Sequence, residues 1–325
     1  MGKLLCSTMA IAYLFAATAT VAAEKWDMPL AYSATNYHSK NAALFADAVT
    51  AATGGELEIV THPSGSLFKG SEIKRAVQTG QAQIGERLIS ALGNENPFFE
   101  VDTLPFLATS FEDARKLYEA SKPTLSKILD KQNLMLLYAV PWPPQGLYSK
   151  APVQSATDMK GVKFRAYNAM TSRVAELMGA IPTQIEAAEI SQAFATGVAE
   201  SMISSGSTGY DRKLWEHAKY WYDVQAWLPK NMVVVNKGAW TGLDEKTRGI
   251  ITGAAAMAEQ AGWAKAQELA DWYKEQLAAN GMTISPPGDQ LKADLEQIGA
   301  TMTSEWLERA GADGKSVIEK FKSMR

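Results

Sequence analysis

DMKGVKFRAYN, residues Asp158 to Asn168, joins a turn, a strand and an unusual cation in one short run. Lys160 and Gly161 make the turn, and Val162 to Tyr167 alternates with the period of two that marks a strand. Arg165 stands inside that strand, close to the aromatics Phe164 and Tyr167. A guanidinium stays charged and presents a rigid fork of donors that matches a carboxylate, so an arginine flanked by aromatic and amide side chains suits an anion clamp. The plainer alternative is a strand-end arginine paired with a neighbouring Asp or Glu.

Strand and helix patterns alternate on the N-terminal side of this stretch. Asp27 to Tyr32 reads as a strand, Lys40 to Thr53 as an amphipathic helix stopped by Gly54-Gly55, and Leu57 to His62 as a strand ended by Pro63. A helix capped by Ser71 runs to Gly80, and Ala82 to Gly85 begins another strand. This β-α-β-α-β opening predicts a mostly parallel sheet with helices on both faces. Asn133 to Val140 is a further strand, and Pro141, Pro143 and Pro144 stiffen a crossing into a second domain.

Beyond the crossing, Gly146 to Ser149 is a strand, Met170 to Met178 and Glu189 to Thr196 are helices, and Ser201 to Ser205 is a strand opening into a Ser/Gly loop that reaches Gly209. Met232 to Asn236 reads as a strand returning to the first domain. From Asp244 to Asn280 the pattern is helical without proline, and Gly281 stops it. At 1.5 Å per residue such a helix spans about 55 Å, long enough to cross both lobes. The alternative is two helices broken near Gly253 or Gly262. The expected fold is α/β, a two-domain clamshell of mixed sheets flanked by helices, with a long helix spanning both lobes. The first lobe is expected to hold residues 24–141 plus about 229–262, and the second 142–228 plus about 263–325.

The chain opens with Lys3, an apolar run from Leu4 to Ala17 and small residues Val21-Ala22-Ala23, the pattern of a cleaved secretory signal peptide over residues 1–23. The apolar run is shorter than the roughly 20 residues a membrane span needs, so no direct membrane insertion is expected. Residues 24–325 contain no cysteine, because the single one is Cys6. Export without disulfides fits the bacterial periplasm. With 31 Lys and Arg after removal of Lys3, against 35 Asp and Glu, no basic surface recommends nucleic acid as a partner.

Six segments carry a resemblance over nearly the whole of residues 24–325. They are HPSGSLFKGSEIKRAVQTGQAQIG (His62 to Gly85), VDTLPFL (Val101 to Leu107), DMKGVKFRAYN, LMGAIPT (Leu177 to Thr183), QAFATGVAE (Gln192 to Glu200) and VVVNKGAWTGL (Val233 to Leu243). In this order and spacing the chain resembles the DctP-type periplasmic solute-binding proteins of TRAP transporters, the tripartite ATP-independent type. The resemblance implies a small organic acid as ligand, TRAP membrane subunits as partners and no cofactor. It also implies that Arg165 binds the ligand carboxylate with Asn168 adding a hydrogen bond. Gln145 stands where some sialic-acid-binding members have a second arginine, Ser205 where Asn is frequent and Glu200 where Asp is frequent, which argues against transferring those members' ligand.

The pocket is expected where strand ends of the two lobes face each other. Tyr32, Tyr37, Glu86 and Arg87 are the candidates from the first lobe. From the second come Trp142, Gln145, Arg165, Tyr167, Asn168, Ser204, Ser205 and Tyr210, with Trp227 on the return crossing. One clamp among aromatics and hydroxyls favours a monocarboxylate, first an aromatic acid such as a hydroxybenzoate with Glu86 or the serines accepting a ring hydroxyl. A sugar acid is the alternative. A C4-dicarboxylate fits less well, since only Arg87 is offered as a second cation. Catalysis finds no support: G-x-S-x-G does not occur, and His38, His62 and His217 lack metal-binding spacing, so no metal is expected.

Overall fold

The computed structural model describes residues 23–325. The expected signal peptide, except for Ala23, lies outside the described residues. Before the first crossing the chain forms β1 (Glu24–Pro29), α1 (Tyr37–Ala52), β2 (Leu57–His62), α2 (Ile73–Gln78), β3 (Ile84–Leu88), α3 (Phe111–Asp130) and β4 (Leu134–Pro141). The second lobe then supplies β5 (Gln145–Ser149), β6 (Lys163–Ala166), α4 (Ala169–Leu177), β7 (Ile181–Gln184), α5 (Ile190–Ala195), β8 (Ser201–Ser205), α6 (Gly206–Asp211) and β9 (Tyr220–Tyr222). The chain returns through β10 (Lys230–Asn236) and ends with α7 (Lys237–Gly242), α8 (Glu245–Ala279), β11 (Thr283–Ser285) and α9 (Asp289–Ser323).

The expected mostly parallel opening is corrected by the pairing. β1 and β2 are parallel, but β3 joins a separate three-stranded sheet, β3-β10-β4, in which β10 runs antiparallel to both neighbours. β10, KNMVVVN, is buried at every position, so it reads as a continuous apolar core strand and takes the centre of the sheet. Its partners come from about 90 residues earlier in β4 and about 150 in β3, which no local pattern reveals. The second lobe holds a six-stranded mixed sheet of order β11-β9-β5-β8-β6-β7. β6, the strand of Arg165, lies between β7 and β8 and is parallel to both.

Two segments link the sheets, Trp142–Pro144 and Asp223–Pro229, and they hold each other. The Trp142 N–H donates to Pro229 O at 2.8 Å, and Gln145 and Trp227 with Ala226 exchange two backbone bonds of 3.0 Å. The third link is α8. It starts at Asp244, whose carboxylate accepts from the Thr247 N–H at 2.9 Å, and runs unbroken for 35 residues. It packs on α1 and β4 of one lobe and on α6 and β11 of the other. Gly262, considered as a break, is instead a close-packing position: a Cβ there would stand 2.5 Å from a Val140 methyl. Any side chain at that point would lift α8 off β4.

Two further local readings need correction. The Ser/Gly stretch after β8 is the helix α6, not a loop, because the Ser205 hydroxyl accepts from the Thr208 N–H at 3.1 Å and caps it. Ser71 caps no helix; it lies inside a short 3-10 turn, Gly70–Glu72, that leads into α2. Among the described residues no helix is long and apolar enough to cross a membrane.

Candidate functional site

The carboxyl ends of β6 and β8 and the end of β3 face one another across the seam between the lobes, beside the two crossing segments. Between them lies a cleft of about 480 Å³ counted out to its open mouth. Its walls bring together eight of the expected residues: Tyr32, Arg87, Trp142, Gln145, Arg165, Tyr167, Ser204 and Ser205.

Arg165 is set by β6 and only 3% exposed. Its Nε–H donates to Ile185 O at 2.9 Å, which fixes the plane of the fork, and its guanidinium carbon lies 5.1 Å from the Tyr167 ring centre. Burial lowers its pKa to about 10, so it remains a cation at neutral pH. Among the described residues no carboxylate lies within 4.0 Å of it; the alternative of a strand-end arginine already paired does not describe this side chain. A buried cation with an oriented fork and no internal counter-ion is arranged to take a carboxylate from outside.

The aromatic part of the wall comes from three different segments. Tyr32 and Trp142 meet edge to face with centres 4.7 Å apart, and the Trp142 Nε1–H donates to Asn231 Oδ1 at 2.9 Å. Tyr167 is held by Trp227, whose Nε1–H donates to the tyrosine hydroxyl at 2.8 Å. Gln145 donates to Pro143 O at 2.9 Å, which orients its amide at the start of β5.

Five expected residues do not line the cleft, and each has other partners. Glu86 is buried on β3, accepts a short bond from Asn231 and sits 3.9 Å from His38 Nδ1. Burial raises its carboxyl to about 7 and keeps His38 well below the ordinary imidazole range. It therefore supports Trp142 through Asn231 and is not offered to a ligand hydroxyl. The Tyr37 hydroxyl donates to Pro141 O at 2.5 Å. Asn168 caps α4 by accepting from the Thr171 N–H at 2.8 Å, while its amide donates to Ser90 Oγ at 2.9 Å, from one lobe to the other. Tyr210 packs among Trp215, Trp272 and Tyr273. Trp227 reaches the cleft only through Tyr167.

Sequence reasoning missed Glu186, Thr208, Leu88, Ala91, Ala187 and Pro229, which also line the cleft. Thr208 was hidden by reading α6 as a loop. Glu186 lies just after β7, a strand whose sequence IPTQ carries no alternation to place it. Among the described residues no group of three or more His, Cys, Asp or Glu is placed to hold a metal ion.

Comparison with known proteins agrees with this architecture. The sequence model for bacterial extracellular solute-binding protein, family 7, matches residues 30–309. A TRAP solute-binding protein from a marine metagenome, specific for pyroglutamate and solved with co-purified pyroglutamate, is 54% identical with a TM-score of 0.92, covering 93% of this chain and 99% of that one. An extracytoplasmic solute receptor of Bordetella pertussis that binds pyroglutamic acid is 49% identical with a TM-score of 0.91, covering 92% and 99%. Among curated relatives, the sialic acid-binding periplasmic protein SiaP of Vibrio cholerae is 24% identical over 327 residues, 98% of both chains.

Proposed function

This chain belongs to family 7 of the bacterial extracellular solute-binding proteins and is a TRAP solute-binding protein, not an enzyme; from that premise we propose that the ligand it captures is pyroglutamate. The observation that carries the reading is the pair of neighbours at 54% and 49% identity that both bind this acid, joined to a cleft whose one unpaired cation is Arg165. Pyroglutamate is a small flat lactam with one carboxylate, one N–H donor and one carbonyl acceptor. Arg165 grips the carboxylate with both arms of its fork. Gln145, Ser204, Ser205 and Thr208 supply donors and acceptors for the lactam edge, and Tyr32, Trp142 and Tyr167 cover the faces of the ring. The protein works outside the cytoplasm after removal of its signal peptide. Its lobes close over the acid, and the closed form hands it to the membrane subunits.

The aromatic walls also favour a second reading, the hydroxybenzoate expected from the sequence. A polar lactam and a phenyl ring make different demands: the former needs its N–H and C=O paired inside the cleft, the latter leaves those protein groups unpaired. Isothermal calorimetry with pyroglutamate, 4-hydroxybenzoate and glucuronate separates the readings. Pyroglutamate binding at micromolar or tighter affinity, at least a hundredfold ahead of the others, is expected, about 2.7 kcal/mol of preference. Tighter binding of either competitor overturns the assignment.

A further inference from the structure

The ionic side chains lining the cleft are Arg165, Arg87 and Glu186, two cations and one anion. Arg87 comes from β3 in the first lobe and is 8% exposed; its Nε has no hydrogen-bond partner among the described residues. Glu186 comes from the second lobe, directly after Ile185, whose carbonyl orients Arg165. Its carboxylate oxygen stands 3.9 Å from Arg87 Nη2, and among the described residues it is the only carboxylate within 4.0 Å of that guanidinium. The two meet against backbone: a Cβ built on Gly70 would fall 2.9 Å from Arg87 Nη1 and 3.2 Å from Glu186 Oε2. At 3.9 Å this is an attraction between charges and not a hydrogen bond, and the Glu186 side chain is 46% exposed at the mouth of the cleft.

We propose that Glu186 is a charge filter that restricts the site to monocarboxylates. With the ligand absent the ionic lining sums to one positive charge, and one carboxylate on Arg165 neutralises it. A dicarboxylate would bring a second anionic end that seeks Arg87, the one other cation of the cleft, and finds Glu186 already there. The cost is repulsion between two anions, since specificity is set as much by what opposes the wrong ligand as by what holds the right one. Glu186 therefore acts on choice of ligand through Arg87, and Arg165 acts on affinity for any carboxylate.

The inference deepens the pyroglutamate reading and rests on it for the orientation of the ligand, with its carboxylate on Arg165. The test uses glutaramate and glutarate, which share a chain and differ only in whether the far end is an amide or a carboxylate. Binding of each, and displacement of pyroglutamate by each, is measured by calorimetry on the full chain and on Glu186→Gln. The wild type is expected to prefer glutaramate, and Glu186→Gln to narrow that preference at least tenfold through tighter glutarate binding. In Arg87→Met/Glu186→Gln the gain should vanish. Unchanged glutarate affinity in Glu186→Gln overturns the filter, as does a gain that survives loss of Arg87. A loss of pyroglutamate binding without any gain for glutarate makes Glu186 a direct ligand contact and also overturns it. Should the wild type fail to bind pyroglutamate, the ligand assignment falls by itself, and the matched pair still reads the filter as a melting shift: Glu186→Gln must gain stabilisation by glutarate that the wild type lacks.

Discussion

Arg165 and Lys230 are both cations buried on strands, 3% and 2% exposed, and the protein treats them in opposite ways. Lys230 opens β10 and has its own carboxylate: Asp102 Oδ2 accepts from its backbone N–H at 2.9 Å and from its ammonium at 3.4 Å. Even so, burial raises the Asp102 pKa and lowers that of Lys230 against their mutual attraction, so the pair only partly offsets its desolvation. Arg165 has its Nε tied to a carbonyl and, among the described residues, no carboxylate within 4.0 Å. A cation with an internal anion serves the fold. One oriented by a neutral carbonyl and left without an anion serves a ligand, because the missing charge must come from outside.

That contrast is tested most strongly at Lys230. Lys230→Met leaves Asp102 buried with only the backbone N–H of residue 230 as partner, and denaturant unfolding should lose about 3–5 kcal/mol, part of it recovered in Lys230→Met/Asp102→Leu, which leaves that N–H without its acceptor. No recovery in the double variant would mean that the pair does more than neutralise itself. Arg165→Ala should show the reverse profile. Affinity for the acid should fall at least a hundredfold, about 2.7 kcal/mol or more, while the melting temperature without ligand moves by only a few degrees. If that variant binds as tightly as the wild type, Arg165 is not the clamp.

Glu86 gives a pH test of the support behind Trp142. Its folded pKa of about 7 lies above the unfolded value near 4.5, so the folded state holds its proton more tightly. Its contribution to stability is full below pH 4.5, declines as pH rises to 7 and is gone above, a fall of about 3 kcal/mol at most. Glu86→Gln should remove that slope from a plot of unfolding free energy against pH. An unaltered slope would assign it to another group. The smallest effect is expected for Ser90→Ala, which deletes the Asn168 contact between lobes and should weaken ligand binding by about tenfold or less, the value of one neutral hydrogen bond. X-ray scattering should then report a larger radius of gyration without ligand than in the wild type.

Much of the frame was legible before any coordinates. The run KFRA is a strand because its alternation and β-branched or aromatic neighbours leave little else, and α8 follows from a proline-free helical pattern between Asp244 and Gly281. The site was legible in proportion to how far each residue's role is local. Arg165 could be singled out because a charge inside an apolar strand stands out in sequence. Glu86 looked equally available, and only its distance to Asn231 and His38 shows that it faces the core. Glu186 gave no signal, since its meaning comes from an arginine about a hundred residues earlier.

The sequence by itself determined the alternation of strands and helices, the place of the arginine within its strand and the proline-free helical run between Asp244 and Gly281, all of which depend on neighbours within a few residues. Tertiary structure decided that β3 and β4 flank β10 in antiparallel register, that Gly262 lets a helix approach and does not break it, and which side chains meet at the seam. The physical reason is one of range. Periodicity and capping are set by backbone geometry over one or two turns, whereas pairing partners, burial and counter-charges depend on which distant segments the closed core brings within a few ångströms.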